Sequence, residues 1–180
     1  MTQLYDGDYL VSCIQKVGSD LFDQLKSMSS KEVVFVGIVT NGVFFAKRIQ
    51  KQLSNHGFII NTPVMELDVS LYRDDLLNRK GASFLTVQSS NVKVSLDDKH
   101  VVLFDDVLST ARTARAALNA IFDYGRPKQV SFAVLFNRDN RHLPIQPNFV
   151  GVNLDVDHSL RVNVEFFEVF GEDRVMLGSM

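Results

Sequence analysis

The sequence is poor in residues that build special frameworks: 180 residues include one cysteine, Cys13, no tryptophan, four prolines and ten glycines. A single cysteine cannot form a disulfide within the chain, and it argues against a cysteine-built zinc site. The four histidines are scattered and suggest no metal cluster. Because there is no internal repeat and no Pro- or Gly-rich linker, residues 1–180 are expected to form a single domain.

Long apolar runs and an excess of one charge are also missing. No stretch approaches the roughly 20 apolar residues of a membrane span. The N-terminal sequence MTQLYDGDYL lacks the basic segment and apolar run of an export signal. With 19 Lys and Arg against 21 Asp and Glu, the formal charge of −2 gives no general attraction to nucleic acid or anionic membranes. A reducing, cytoplasmic setting is therefore expected.

What the chain does have is an alternation of apolar runs and helical patterns. Apolar residues at helical spacing predict a first helix from Asp8 to Lys26. Strands are predicted at residues 33–38, 63–71, 84–87, 100–104 and 130–136. Further helices are predicted at 43–53 and 113–124, the second ending at Gly125. Strands joined through helices make right-handed crossovers, so we expect an α/β fold whose central, mainly parallel sheet is flanked by helices.

Two segments depart from this alternation. The polar segment 72–83 has five charged side chains and is expected to be an exposed, mobile loop. The last forty residues are irregular, with short β-like pieces around Phe149–Leu154 and Val162–Phe167. We expect these pieces to form a small cap or an edge hairpin.

The string that is most informative about function is VVLFDDVLSTART, residues 101–113. Its apolar strand ends in Asp105 and Asp106, at the end of the strands where open α/β sheets bind ligands. Ser109, Thr110 and Thr113 then lead into a helix, where hydroxyls and backbone N–H groups hold phosphates. Carboxylates that accept hydrogen bonds from sugar hydroxyls beside a phosphate site describe a ribose phosphate. The alternative is that the aspartates cap a turn and the threonines cap the helix.

This string resembles the phosphoribosyl pyrophosphate signature of type I phosphoribosyltransferases. Further strings resemble the PyrR family: LDVSLYRDDL at 67–76, DYGRP at 123–127 and NRDNRHLPI at 137–145. Members of that family are uracil phosphoribosyltransferases that also regulate pyrimidine operons by binding messenger RNA. The similarity extends from the first helix to about Gly151. It implies a type I phosphoribosyltransferase fold with a small C-terminal hood.

The resemblance implies that uracil reacts with phosphoribosyl pyrophosphate to give UMP and pyrophosphate. Mg²⁺ would be bound through the substrate, without direct protein ligands, and the protein would form a homodimer or a larger homo-oligomer. The displacement develops positive charge on the ribose and negative charge on the leaving pyrophosphate. The protein must therefore orient the sugar and neutralise the leaving group.

The resemblance also assigns roles to residues of this chain. Asp105 and Asp106 would hold the ribose hydroxyls and are assigned as catalytic, together with Arg73. The loop for the 5′-phosphate consists of Leu108, Ser109, Thr110, Ala111, Arg112 and Thr113. The pyrophosphate loop consists of Thr40, Asn41 and Gly42. Tyr72 and Arg73 begin the mobile loop that closes over the site. The base pocket begins at Phe136, Asn137 and Arg138.

Two positions depart from the family pattern, and both predict reduced activity. Asn41 stands where the family has arginine, so it donates a hydrogen bond but brings no charge to the leaving group. Ala111 stands where the family has glycine. It is strained if its φ is positive and unstrained if its φ is negative, and the sequence leaves this open. Lys47 and Arg48, farther along the same helix, are interpreted as solvated surface charges.

RNA binding is expected to be weak. The RNA-facing surface of the family is basic, whereas Asn140, Gln146 and Val152 are neutral in this chain. Phosphate contacts by Lys and Arg dominate RNA affinity. The basic residues that remain at such positions are Arg138, Arg141 and Lys16.

Three functions are therefore compared. The first is a uracil phosphoribosyltransferase, which the intact aspartate and hydroxyl pattern favours. The second is a degenerate, weakly active or inactive homologue that regulates by binding nucleotides or RNA, which Asn41 and Ala111 favour. The third is a receiver-like signalling domain. It would carry its acidic pair on the first strand, whereas Asp105 and Asp106 end a late one.

Overall fold

The computed structural model describes residues 1–69 and 95–179. The helices in these residues are α1 (Gly7–Leu25), α2 (Asn41–Asn55), α3 (Arg112–Asp123) and α4 (Phe167–Phe170). The strands are β1 (Thr2–Tyr5), β2 (Val33–Ile38), β3 (Met65–Leu67), β4 (His100–Leu108), β5 (Gln129–Arg138), β6 (Phe149–Leu154), β7 (Leu160–Glu165) and β8 (Arg174–Ser179). The predicted strand at 84–87 and the predicted loop at 72–83 lie outside the described residues.

Five strands form one sheet in the order β3-β2-β4-β5-β6, and every neighbouring pair is parallel. All six residues of β2 are buried, as is β4 from His100 to Asp105. Strands that are covered on both faces have continuous apolar runs instead of alternating ones, which is why these runs were visible in the sequence. The prediction of a mainly parallel sheet flanked by helices is confirmed.

Helices cover both faces of this sheet. α1 and α2 pack on one face, where Leu10, Val17 and Ile49 share a core with Phe35 and Phe104. α3 packs on the other face, and its buried residues are mostly alanines, whose small side chains allow it to approach the strands closely. In residues 1–69 and 95–179, no helix is both long and apolar enough to cross a bilayer.

A second, smaller sheet forms a hood. It is antiparallel, in the order β1-β8-β7, and its β1 strand from the N-terminus was not predicted. The prediction that Phe149–Leu154 belongs to the cap or hairpin is wrong, because this segment is β6, the parallel edge strand of the main sheet. A Cβ added to Gly151 would lie 2.5 Å from the Leu135 carbonyl oxygen. Only glycine permits this approach of β6 to β5.

The strand order places a ligand site between β2 and β4. From β2 the chain continues to β3 on one side, whereas β4 lies on the other, and ligands of open α/β sheets bind outside such a switch point. Two glycines bring the start of α2 close to these strands. An added Cβ would lie 2.5 Å from Val43 Cα at Gly37, and 2.3 Å from the Phe104 carbonyl oxygen at Gly42. The loop after β2 and the end of β4 therefore meet.

Candidate functional site

An acidic pair lies near the end of β4, the middle strand of the parallel sheet. Asp105 is 8% exposed and Asp106 is half-buried. Asp105 Oδ1 accepts a hydrogen bond from the Asp106 backbone N–H (3.0 Å), and Asp106 Oδ1 accepts one from the Val107 N–H (2.9 Å). Asp106 Oδ2 accepts a hydrogen bond from the side-chain amide of Asn41 (2.7 Å). The structure thus brings together residues of the predicted ribose site and of the predicted pyrophosphate loop.

The turn from β4 into α3 contains a left-handed residue. Ala111 has φ +69° and ψ 8°, a conformation that costs an L-residue roughly 1–2 kcal/mol and that glycine adopts freely. The structure therefore gives the strained alternative that the sequence left open. Ala111 is the N-cap of α3, and its methyl group cannot accept a hydrogen bond. Because the first N–H groups of a helix have no intrahelical acceptor, this turn has the donors that a phosphate needs.

Arg141, in the segment after β5, supports this turn. Its guanidinium donates to four acceptors, which are the carbonyl oxygens of Ser109, Arg138 (2.8 Å) and Ile145 (3.1 Å) and the side-chain oxygen of Asn137. Burial lowers the pKa of Arg141, and the nearby carboxylate of Asp139 acts in the opposite direction. Arg141 therefore fixes the turn to the end of β5.

Two neighbours of Arg141 contact the same turn. Ser109 Oγ donates a hydrogen bond to Asn140 Oδ1 (2.7 Å), and the His142 backbone N–H donates to the Thr110 carbonyl oxygen (3.1 Å). Asn140, which is neutral where the family has a basic residue, thus has a structural partner in the predicted phosphate loop. The turn is held by hydrogen bonds from a second loop on the neighbouring strand.

The predicted base-pocket residues lie beside the acidic pair. The register of β4 and β5 pairs Val107 with Phe136 and Leu108 with Asn137. Phe136 has no exposed surface, and the ring of Tyr5 lies nearly parallel to it at 6.1 Å. Tyr5 belongs to β1, so the hood covers the end of β5.

Arg138 connects β5 to the hood. It is 3% exposed, and its Nη1 and Nη2 donate to the carbonyl oxygens of Leu160 (2.8 Å) and Asp157 (3.0 Å). Its buried Nε has no hydrogen-bond partner among the described residues. Burial lowers the pKa of Arg138, and the Asp157 carboxylate opposes this shift.

Arg48 connects α2 to the hood. Its guanidinium donates to the Glu168 carboxylate (2.6 and 3.0 Å) and to the Asp173 carboxylate (2.7 and 2.8 Å), and it lies 4.8 Å from the Phe166 ring centroid. Burial disfavours the charge, but the hydrogen bonds to Asp173 and Glu168 outweigh it and raise the pKa of Arg48. The prediction that Arg48 is a solvated surface charge is therefore wrong. Lys47, whose side chain is 52% exposed, fits that prediction.

The remaining predicted site residues are placed as follows. Thr40 is exposed and Gly42 is buried against β4, on either side of the half-buried Asn41. Tyr72 and Arg73 lie outside the described residues. In the described part of the chain, no group of three or more His, Cys, Asp or Glu side chains could hold a metal ion.

The basic residues that remained as candidates for RNA binding all have internal partners. Arg138 and Arg141 donate to backbone carbonyl groups, as described above. Lys16 Nζ donates to the Val150 carbonyl oxygen and lies 3.6 Å from Asp20 Oδ2. These hydrogen bonds engage the cationic groups of all three with the protein itself.

Sequence reasoning missed two residues near the site. Val107 follows the acidic pair directly, is half-buried and packs against the same core as Phe136. Its position after the two aspartates was the available signal. Tyr5 had no such signal, because its strand is four residues long and its partner among the described strands is the distant β8.

The fold and this site define a phosphoribosyltransferase. The family profile that matches the chain is described as "Phosphoribosyl transferase domain" and covers residues 2–169. Solved structures agree. A hypoxanthine phosphoribosyltransferase of Trypanosoma cruzi has a TM-score of 0.72 at 17% identity, over 98% of this chain and 91% of that chain. One from Staphylococcus aureus has a TM-score of 0.62 at 19% identity, over 88% and 80%. The predicted type I phosphoribosyltransferase fold is confirmed.

More similar sequences identify the branch. The "Bifunctional protein PyrR" of Limosilactobacillus fermentum is 40% identical over 176 residues, which is 97% of this chain and 96% of that protein. The protein of the same name from Limosilactobacillus reuteri subsp. reuteri is 40% identical over 175 residues, 97% of each chain. This chain belongs to the PyrR family.

Proposed function

We propose that this protein transfers the phosphoribosyl group of phosphoribosyl pyrophosphate to uracil, giving UMP and pyrophosphate. The observation that carries the proposal is the 2.7 Å hydrogen bond from Asn41 to Asp106. It joins the loop after β2 to an acidic pair that is followed directly by a phosphate-type turn. A sugar that carries a phosphate at each end requires this arrangement, with hydroxyl acceptors between two anion sites.

The sugar is held by the residues at the end of β4. Asp105 and Asp106 accept hydrogen bonds from the ribose hydroxyls, and the loop from Leu108 to Thr113 holds the 5′-phosphate with backbone N–H groups. In the reaction, the bond from C1′ to the pyrophosphate oxygen breaks, a bond from C1′ to uracil N1 forms, and N1 loses its proton. Positive charge develops on the ribose, and the two carboxylates stabilise it.

The leaving pyrophosphate is assigned to Thr40, Asn41 and Gly42. α2 begins at Asn41, so its N-terminal N–H groups and dipole favour an anion there, although no arginine is present. Mg²⁺ prefers oxygen ligands and is held largely by substrate phosphates, so it would be bound through phosphoribosyl pyrophosphate, without direct protein ligands. When bound, it neutralises charge on the pyrophosphate. Tyr72 and Arg73, which lie outside the described residues, keep the roles that the family resemblance implies.

Uracil is assigned to the end of β5 under the hood, at Phe136, Asn137 and Arg138. The buried Nε of Arg138 has no hydrogen-bond partner in residues 1–69 and 95–179, so an acceptor placed beside it would recover free energy. Uracil is preferred over other bases because of the family relationship. We also infer that the whole chain forms one domain and a homo-oligomer.

The direct test is to mix the protein with phosphoribosyl pyrophosphate and Mg²⁺ and either uracil or hypoxanthine. UMP formation with uracil is expected, with little or no IMP from hypoxanthine. The reverse preference would contradict the assignment of the base, and neither product would contradict the enzymatic proposal.

The acidic pair is tested by the double variant Asp105→Asn/Asp106→Asn. Its calorimetrically measured affinity for phosphoribosyl pyrophosphate should fall by at least about 100-fold, because each hydrogen bond to a charged group contributes roughly 1.5–3 kcal/mol. The matched control is Asp97→Asn/Asp98→Asn, which removes the same charge just before β4, at its opposite end. An unchanged affinity in the folded site variant would refute the assignment.

The second candidate is a degenerate regulatory homologue with little turnover. Asn41 favours it because the loop lacks a cation for the leaving group, and Ala111 favours it because its backbone is strained. Nucleotide binding without UMP formation in the same assay would select this function. For RNA, the engagement of Lys16, Arg138 and Arg141 with the protein supports weak binding.

A further inference from the structure

The side-chain amide of Asn41 donates two hydrogen bonds. Nδ2 donates to Asp106 Oδ2 at 2.7 Å and to the Val164 carbonyl oxygen at 2.9 Å. A carboxamide has two N–H donors, so both are used. One small, half-buried side chain thus bridges β4 of the main sheet and β7 of the hood.

At the β4 end, this bridge fixes a carboxylate that is predicted to hold the sugar. Asp106 Oδ2 accepts from Asn41, and Oδ1 accepts from the Val107 N–H (2.9 Å). With one hydrogen bond on each oxygen, the orientation of the carboxylate is set. Counting partners in the described residues alone, one lone pair on each oxygen remains for a sugar hydroxyl.

At the hood end, the bridge fixes the strand that also binds Arg138. Val164 is 2% exposed, and its strand β7 begins at Leu160, whose carbonyl accepts from Arg138. β7 therefore contacts both a predicted base-pocket residue and, through Asn41, the predicted sugar carboxylate. Arg48 lies farther along α2, and its hydrogen bonds within the described residues go to Glu168 and Asp173 instead of the acidic pair.

We propose that Asn41 is a positioning residue that sets the hood and the Asp106 carboxylate relative to each other, so that one side chain aligns the base half and the sugar half of the site. This inference rests on the proposed phosphoribosyltransferase function. It differs from the role of leaving-group ligand, because the Asn41 amide is used by the protein itself. Its backbone N–H remains part of the proposed pyrophosphate loop.

UMP separates the two roles because it has the base, the sugar and the 5′-phosphate but no pyrophosphate. If Asn41 acts through Asp106 and the hood, Asn41→Ala should weaken UMP binding by about 10- to 100-fold, the effect of one hydrogen bond to a charged group. Asn41→Asp keeps the size, removes both donors and places a second carboxylate beside Asp106, so its loss should be at least as large. Lys47→Ala, on the exposed face of α2, is the control and should bind UMP like the wild type.

The measurement is calorimetric titration of each folded variant with UMP and with phosphoribosyl pyrophosphate. If Asn41→Ala binds UMP normally but phosphoribosyl pyrophosphate weakly, the residue is a leaving-group ligand and the inference is overturned. If the wild type binds neither compound, the proposed function is wrong. Whether Asn41 bridges Asp106 and the hood is then tested without ligand, by a double-mutant cycle. In that cycle, Asn41→Ala and Asp106→Ala should be coupled about threefold or more in the unfolding equilibrium constant. Simple additivity would overturn the bridge.

Discussion

Substitution of Gly42 by alanine tests whether close backbone contact places the two halves of the site. The added Cβ would lie 2.3 Å from the Phe104 carbonyl oxygen and 3.0 Å from its carbonyl carbon, whereas ordinary van der Waals contact begins at 3.4 Å. Both atoms are backbone atoms of a central strand, directly before the acidic pair, so they cannot turn away. The start of α2 must therefore move by about 1 Å. Forcing a methylene group into a packed interior typically costs roughly 1–3 kcal/mol.

The same displacement should reduce catalysis as well as stability. A misplacement of about 1 Å near reacting groups costs on the order of 100-fold in rate. We expect kcat/KM for phosphoribosyl pyrophosphate to fall by about that factor in Gly42→Ala, and denaturant unfolding to show the loss of stability. Gly178→Ala is the control, because its added Cβ would meet the side chains of Met1 and Asn163 at 3.4 Å or more, which is ordinary contact. Wild-type stability and rate in Gly42→Ala would refute the reasoning.

Two further predictions concern stability. Ala111→Gly relieves roughly 1–2 kcal/mol of left-handed strain. It also removes a buried methyl group and raises the entropy of the unfolded chain, and both effects destabilise the fold. Because these contributions nearly cancel, the free energy of unfolding should change by less than about 1 kcal/mol. The control is Ala120→Gly, in the middle of α3, which should lower the free energy of unfolding by about 2 kcal/mol. If urea unfolding shows equal losses for the two variants, Ala111 is not strained. Burial lowers the pKa of His100, whose Nε2 lies 2.8 Å from Ser131 Oγ. As the pH falls, this imidazole is therefore protonated in the unfolded chain before it is protonated in the folded chain. Stability should therefore be greatest above about pH 6.5 and fall on acidification by up to about 1.4 kcal/mol per pH unit, and His100→Gln should flatten that slope. An unchanged slope between pH 7 and pH 5.5 in the variant would contradict this assignment.

The sequence alone determined the central strands of the main sheet and the position of the candidate site in the chain. Strands β2, β4 and β5 are buried on both faces, so each is a continuous apolar run that a local pattern reveals. α1 and α3 begin within one residue of their predicted starts, because helical periodicity and end signals are also local. Asp105 and Asp106 are adjacent in the chain to the phosphate-type turn, so their relation needed no long-range information.

Only the tertiary structure decided which polar and charged side chains are solvated and which form hydrogen bonds within the protein. Arg48, Arg141 and Asn41 form hydrogen bonds to residues that lie 125, 32 and 123 positions away in the chain. A local pattern contains no record of such partners, so Arg48 was misjudged as a surface charge. The β1 strand of the hood escaped prediction for the same reason, since its partner in the described residues, β8, lies at the other end of the chain. The φ of Ala111 was undetermined because the sequence pattern of this turn fits either sign. Local patterns therefore determined the strands and the turn, whereas long-range contacts determined the orientation of the groups around them.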